Sequence, residues 1–308
     1  MIEFLYTKNI STLLASLKTK EEKPKRKVRT AFNGLSPKEW TIHSRSVWTA
    51  RDVSSMRHEY HKIHGATFPM ALAERAIEMY TGKNDLVFDP FLGVGSTILG
   101  AKKLSRNGLG IELYKQFSDI SKDLLKQQSL DNKNSHKVIN GNCRNLYKYL
   151  EPDSVQLTFT SPPYANFIQR SIKDRKTVHK TSRLVTHNKS VVKQYGEDPN
   201  DFGNLDYPEF LENVSDLMKK IFDVTKPGGY NIWVVKDHRD TKHGKPFIPV
   251  HSDIAISGEN AGFLSHDLIV WDQNEQRSLV LLGFPTVFYT NINHSYLVIL
   301  RKPPLKKK

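Results

Sequence analysis

From Met70 onward the chain alternates short β-prone apolar runs with amphipathic helical runs, and this alternation limits the fold more than any other feature. Met70 to Tyr80 carries Leu72, Ala76, Ile77 and Tyr80 at helical spacing, with Gly82 suited to the C-cap. Asp85–Asp89 reads as a strand, Ser96–Leu104 as a helix, Gly108–Glu112 as a strand and Phe117–Gln127 as a helix. His136–Asn140 and the run from Ser154 to Phe159 are two more strands. Tyr207–Val224 is amphipathic, Lys226-Pro227-Gly228-Gly229 reads as a turn, and Tyr230–Val235 as a strand. Ile248–Ala261 reads as mostly helical. Leu268–Trp271 and Tyr296–Leu300 are strands with no helical pattern between them, so they are expected to pair antiparallel. The pattern predicts an α/β, doubly wound, mostly parallel seven-stranded sheet with its last strand antiparallel.

Composition narrows the partners. Among 308 residues, 46 Lys and Arg stand against 32 Asp and Glu, a formal charge of +14 that favours a polyanion. Cys143 is the single cysteine, which excludes a disulfide framework and a Cys-based zinc site. No run of eighteen apolar residues occurs, and the first residues lack a signal-peptide pattern, so a cytoplasmic protein with no membrane partner is expected. Residues 1–18 suggest a short amphipathic helix with Leu5, Leu13, Leu14 and Leu17 on one side. Lys18–Arg29 reads as a basic arm, and residues 1–35 are grouped as one N-terminal segment. His58, His61 and His64 sit at roughly helical spacing, but no carboxylate set completes a metal site there.

Two loops carry the chemistry. Asp89-Pro90-Phe91-Leu92-Gly93-Val94-Gly95-Ser96-Thr97 joins a strand to a helix, and its glycines allow a sharp turn and a close ligand. It is neither a Walker loop nor a full dinucleotide fingerprint. Glu112 ends the next strand, where a carboxylate suits two ribose hydroxyls. Further on, Ser161-Pro162-Pro163-Tyr164 follows a buried strand. Two prolines cannot continue a ladder, because neither has an N–H. The result is a stiff, carbonyl-rich turn with a hydroxyl before it and a ring after it, which could grip a flat group bearing an amine.

Together these residues resemble the exocyclic-amino DNA methyltransferases that use S-adenosylmethionine, and in particular the N4-cytosine type. Asp89 to Ser96 matches the family's Asp-Pro-Phe-x-Gly-x-Gly-Ser/Thr loop, and Ser161 to Tyr164 its Asp/Asn/Ser-Pro-Pro-Tyr/Phe motif. His64-Gly65-Ala66-Thr67-Phe68-Pro69 is similar to the family's His-Pro-Ala-x-Phe-Pro segment, with Gly65 in place of Pro. His294–Lys302 resembles its last strand, so the resemblance spans roughly residues 60–302. Gly141-Asn142-Cys143-Arg144 departs from the family's Gly-Asp-Ala-Arg.

The resemblance implies a Rossmann-like methyltransferase domain over 36–302, a basic DNA-contacting insertion at 165–205, recognition elements within 237–295 and a basic tail at 303–308. It implies that Gly93 and Gly95 pass under the methionine moiety, with Asp89 near its amino group and Phe68 and Pro69 beside it. Pro90, Phe91 and Ser96 belong to the same loop, Glu112 holds the ribose, and Asn142 meets the adenine amino group through its carbonyl oxygen. Ser161 and the Pro162 carbonyl orient the target amine, with Pro163 stiffening the turn and Tyr164 stacking on the base. The amine is otherwise paired, so the base must leave the duplex. A cytosine C5 enzyme would need a nucleophilic cysteine, typically after a proline; Cys143 follows Asn142 instead.

Arg170, Lys173, Arg175, Lys176, Lys180 and Arg183 are the candidate phosphate contacts in the insertion, and Tyr195-Gly196 its closure. Arg239, Lys242, His243 and Lys245 mark a second candidate surface, and Asp272–His294, with Arg277 and several aromatics, a third. Double-stranded DNA is the expected partner, and a cognate restriction endonuclease a genetic one. Three other readings stay open: an adenine N6 enzyme, an RNA or protein amino-group methyltransferase, and a DNA-binding protein on an inactive methyltransferase fold.

Overall fold

Helices cover both faces of the central sheet, which is why most of its strands read as apolar runs without strict alternation. The structure is a computed structural model and describes residues 31–54, 67–128, 133–166, 195–276 and 286–305. Ten strands occur among these residues: β1 (Val47–Trp48), β2 (Leu86–Asp89), β3 (Asn107–Glu112), β4 (His136–Asn140), β5 (Val155–Thr160), β6 (Thr225–Val235), β7 (His238–Asp240), β8 (Lys245–Ile248), β9 (Leu264–Asp272) and β10 (His294–Arg301). Eight of them form one sheet in the order β1-β9-β10-β6-β5-β2-β3-β4, and β7 and β8 pair as a separate antiparallel hairpin. Only β10 runs against its neighbours, pairing antiparallel with both β6 and β9. The order places β2 and β5 side by side, so the two chemical loops leave adjacent strands at the same edge.

The helices are α1 (Pro37–His43), α2 (Met70–Tyr80), α3 (Ser96–Lys103), α4 (Lys115–Gln127), α5 (Tyr207–Val224) and α6 (Val250–Asn260). Successive strand residues feed opposite cores, as the two-residue period requires. Val87 and Ile232 pack toward α2 and α3, whereas Phe88 and Trp233 pack toward α5 and α6. The α5 helix starts where Asp206 accepts a bond from Glu209 N at 3.0 Å and Pro208 occupies the first turn.

Three expectations need correction. The sheet has eight strands instead of seven, because Val47–Trp48 adds a parallel edge beside β9. Two residues are too few to show a period. The strand is held by Trp48, fully buried beneath the Arg75 guanidinium at 4.7 Å. The expected turn at 226–229 lies inside β6 instead. Gly228 N donates to Lys302 O and Lys302 N to Gly229 O, both at 3.0 Å, so β10's end draws this stretch into the sheet. Finally, α6 begins at Val250, and the preceding Lys245–Ile248 is a strand that turns back on β7 at Gly244.

From Phe32 onward the chain is one compact unit. The expected N-terminal helix and basic arm, His58, His61 and His64, the six candidate phosphate contacts from Arg170 to Arg183, Arg277 and the final three lysines lie outside the described residues. Among the described residues no helix is long and apolar enough to cross a membrane, and no three His, Cys, Asp or Glu side chains gather to hold a metal.

Candidate active site

The carboxyl ends of β2, β3, β4 and β5 open into one cleft, with about 840 Å³ of empty space including its mouth to solvent. At the floor, the loop after β2 turns into α3 through Gly95, whose φ of +97° only glycine adopts without strain. A Cβ there would also stand 2.4 Å from Ser121 Oγ on α4, so glycine lets loop and helix close up. Leu92 N donates to Ile111 O at 3.0 Å, which fastens the loop to β3.

Glu112 ends β3 with 7% exposure and holds the loop from the other side. Its Oε2 accepts from Gly93 N at 2.7 Å and its Oε1 from Tyr114 N at 2.9 Å. A carboxylate has about four acceptor sites, so each oxygen keeps one for a ligand in the cleft. Burial pushes the Glu112 carboxyl up to about 7, against the pull of those two backbone bonds.

Asp89 ends β2 and does not line the cleft. Its carboxylate is 1% exposed and accepts from Thr97 Oγ1 and Thr160 Oγ1, both at 2.6 Å, and from Phe91 N at 3.0 Å. Burial pushes it up to about 6, with the bonds from Thr160, Thr97 and Phe91 opposing the rise. One buried carboxylate thus ties the glycine loop to the residue just before Ser161. Two other expected cofactor residues, Pro69 and Gly95, also stand behind the wall, Pro69 as the N-cap of α2. Phe68, Pro90, Phe91, Gly93, Ser96, Glu112 and Asn142 line it. Phe68 stacks edge-on against Phe159 at 5.2 Å, and its carbonyl accepts from Ser96 Oγ at 3.1 Å.

Ser161, Pro162, Pro163 and Tyr164 form the opposite lip of this cleft. Ala165 N donates to Pro163 O at 3.1 Å and Asn166 N to Leu205 O at 2.9 Å, so the turn is closed on itself and pinned downstream. The Tyr164 ring meets His238, the first residue of β7, edge-on at 4.9 Å between centroids.

The far wall comes from residues that pattern reading missed. Tyr114, Phe117, Asp201 and Phe202 line the cleft beside Tyr195. Tyr114 Oη donates to Asp201 Oδ2 at 2.8 Å, and Gly203 N to Asp201 Oδ1 at 2.8 Å. Burial raises Asp201, and burial together with the bond to the Asp201 carboxylate raises Tyr114. The Tyr195 ring packs edge-on against Phe117 at 5.8 Å. Arg144 reaches across to Asn213 Oδ1 at 2.7 Å and Asn200 O at 2.9 Å, with its guanidinium 4.3 Å from the Phe202 ring. Tyr114 had a legible signal, an aromatic just past a strand end. Asp201 had none, because it lies near the end of the 165–205 insertion, where no periodic pattern points it to the cleft.

Asn142 caps the short 3-10 helix Cys143–Lys148, its Oδ1 accepting from Arg144 N at 2.9 Å. That leaves one acceptor site on Oδ1 and the amide donors. Cys143 lines the cleft, but burial pushes its thiol up to about 12, so it stays protonated and is a poor nucleophile. The residues fit S-adenosylmethionine: a buried carboxylate with spare acceptors for a ribose diol, an aromatic wall for a purine, and a lip bearing Ser161 where the methyl end would emerge.

Part of the chain is similar to known DNA methylases. Residues 4–123 match a family model described as DNA methylase, of the N6/N4 type; the match includes the glycine loop and Glu112 and ends before Ser161. The type II methyltransferase M.BglII of Bacillus subtilis is 35% identical over 118 residues, 37% of this chain and 31% of that one. M.MthZI of Methanothermobacter thermautotrophicus is 36% identical over 105 residues, 33% of this chain and 28% of that one. The chain therefore spans less than a third of the length of these curated relatives. Among solved structures, an S-adenosylmethionine-dependent methyltransferase from Methanosarcina mazei aligns at 13% identity with a TM-score of 0.46, over 74% of this chain and 97% of that one.

Proposed function

We propose that the chain is a member of the N6/N4 DNA methylase family and that it methylates the N4 amino group of a cytosine turned out of duplex DNA. S-adenosylmethionine is the cofactor and, when bound, supplies the methyl group. The observation that carries the reading is one cleft lined by both Glu112 and Gly93 and by Ser161 to Tyr164. Glu112 would accept the ribose hydroxyls, and Tyr114, Phe117 and Tyr195 would flank the adenine. Asn142 would meet the adenine edge.

The amine of cytosine is conjugated with its ring and is a weak nucleophile. What it needs from the protein is orientation of the nitrogen lone pair. The Ser161 hydroxyl and the Pro162 carbonyl would accept its two hydrogens, and Tyr164 would hold the ring by stacking. Asp89 would position rather than touch, since its carboxylate is committed to Thr97, Thr160 and the Phe91 N–H. The family covers both cytosine N4 and adenine N6. Ser161 in the first motif position, where the resemblance associates Asp or Asn with adenine, is the reason for choosing cytosine.

In this reading 36–302 is the catalytic domain, 1–35 an arm and 165–205 an insertion that grips phosphates through Arg170, Lys173, Arg175, Lys176, Lys180 and Arg183. Duplex DNA in the cytoplasm is the substrate, and a cognate restriction endonuclease the genetic partner. Transfer of a labelled methyl group to duplex DNA, with duplex RNA as competitor, tests the substrate class. DNA should be labelled and RNA should compete poorly; labelling of RNA alone would overturn the reading.

A further inference from the structure

Two stretches outside the cleft that look unrelated in the sequence are fastened together in the structure. Arg239 on β7 donates through Nη1 to Pro246 O at 2.9 Å and through Nη2 to Thr290 O at 3.1 Å and Thr290 Oγ1 at 3.2 Å. Its guanidinium also lies 5.7 Å from the Phe247 ring and 5.1 Å from the Tyr289 ring, within cation–π range of both. A planar fork can make these bonds while its faces meet rings; a lysine ammonium cannot.

The surface so assembled is exposed and has a definite chemistry. Phe247 is 48% exposed and Phe288 78%, with Val287 beside it, and Lys245 is exposed on β8. Exposed rings beside cations suit a polyanion whose bases can be reached, because rings meet bases and ammonium groups meet phosphates. The position argues the same way. The hairpin begins at His238, whose ring touches Tyr164 on the lip of the cleft, so any duplex that delivers a base to Tyr164 passes beside it.

We propose that the β7–β8 hairpin and residues 286–290 form one duplex-docking surface, held together by Arg239 and meeting DNA through Lys245, Phe247 and Phe288. This rests on the reading of the chain as a DNA methyltransferase. Arg239 is a positioning residue, and its charge alone is not what counts.

Duplex DNA affinity of the full chain, measured by fluorescence anisotropy over a salt series, tests the surface, with calorimetry of S-adenosylmethionine binding run in parallel. Arg239→Lys keeps the charge and should still weaken duplex binding about tenfold. Lys245→Gln should lower the slope of log affinity against log salt by about 1, as loss of one phosphate contact does. Phe247→Ala should weaken binding at every salt concentration. All three should bind the cofactor like the parent chain. Should Arg239→Lys fail to fold, the two exposed substitutions still decide. Parental DNA affinity and salt slope in the folded variants would overturn the surface and leave these rings to a protein partner. Failure of the parent chain itself to bind duplex would instead overturn the methyltransferase reading beneath it.

Discussion

Tyr164 and Glu112 face the same cleft and should fail in different ways when altered. Base stacking is worth about 1–3 kcal/mol, so Tyr164→Ala should lower kcat/KM on DNA by about 10- to 100-fold. Cofactor affinity from calorimetry should stay unchanged; its loss would mean that Tyr164 is a wall of the cofactor site. Glu112 should control the pH dependence of cofactor binding. Burial pushes it up to about 7, and ribose acceptance favours the charged form, so affinity should fall as pH drops from 8 to 6. Glu112→Gln should bind weakly at both values. Stability of the free protein runs the other way. Glu112 and Asp89, at about 7 and 6, both lie above their unfolded values, so the folded state holds extra protons between about pH 4 and 7. Their contribution is full below the unfolded pKa values and is lost as pH rises through the folded ones. The melting temperature of the cofactor-free chain should therefore be drawn downward by these groups from pH 5 to 8, a component that Glu112→Gln reduces. At this scale the sequence showed Glu112 and Ser161–Tyr164 plainly, because they stand at strand ends. It did not show that Asp89 faces inward, since Thr97 and Thr160 read as ordinary helix and strand residues until β2 and β5 are paired.

Between elements, two contacts join the pieces of the cleft. The Asp89–Thr160 bond links β2 to the end of β5. Thr160→Val keeps the shape and removes the donor, which at a buried carboxylate should cost about 1–3 kcal/mol of stability in urea titrations. It should also lower kcat more than it weakens cofactor binding, because the glycine loop keeps its bonds to Ile111 and Glu112 while the Ser161 turn is released. An equal loss in both would remove the coupling role. The second contact is Gly196 against Tyr114, where a Cβ would come 2.3 Å from the ring. That ring is held by its bond to Asp201 and cannot move aside freely. Gly196→Ala should therefore cost about 1–3 kcal/mol, read by calorimetry as weaker cofactor binding. Boundaries of long periodic elements were legible in the sequence; α2, β4 and α5 begin and end as their spacing predicts. The β1 edge strand, the kinked start of β6 and the β7–β8 hairpin were not. The first two owe their shape to partners far along the chain, and the hairpin's strands are only three and four residues long.

On the scale of the whole molecule, the sheet order explains why two distant motifs meet. The crossover that places β5 beside β2 brings residues near 90 and near 160 to one edge, while β10 runs antiparallel between β6 and β9 in the other half of the sheet. The alternation of strands and helices was enough to foresee a doubly wound, mostly parallel sheet but not its strand order, and the resemblance supplied the substrate class. The far wall was not foreseen, because Tyr195, Asp201 and Phe202 reach the cleft from the end of the 165–205 insertion, where only a closing role for Tyr195 was expected. The identity of the methylated base rests on Ser161. The most direct measurement is mass spectrometry of nucleosides from duplex DNA incubated with this chain and S-adenosylmethionine. N4-methylcytosine is the expected product; N6-methyladenine without N4-methylcytosine would contradict the account.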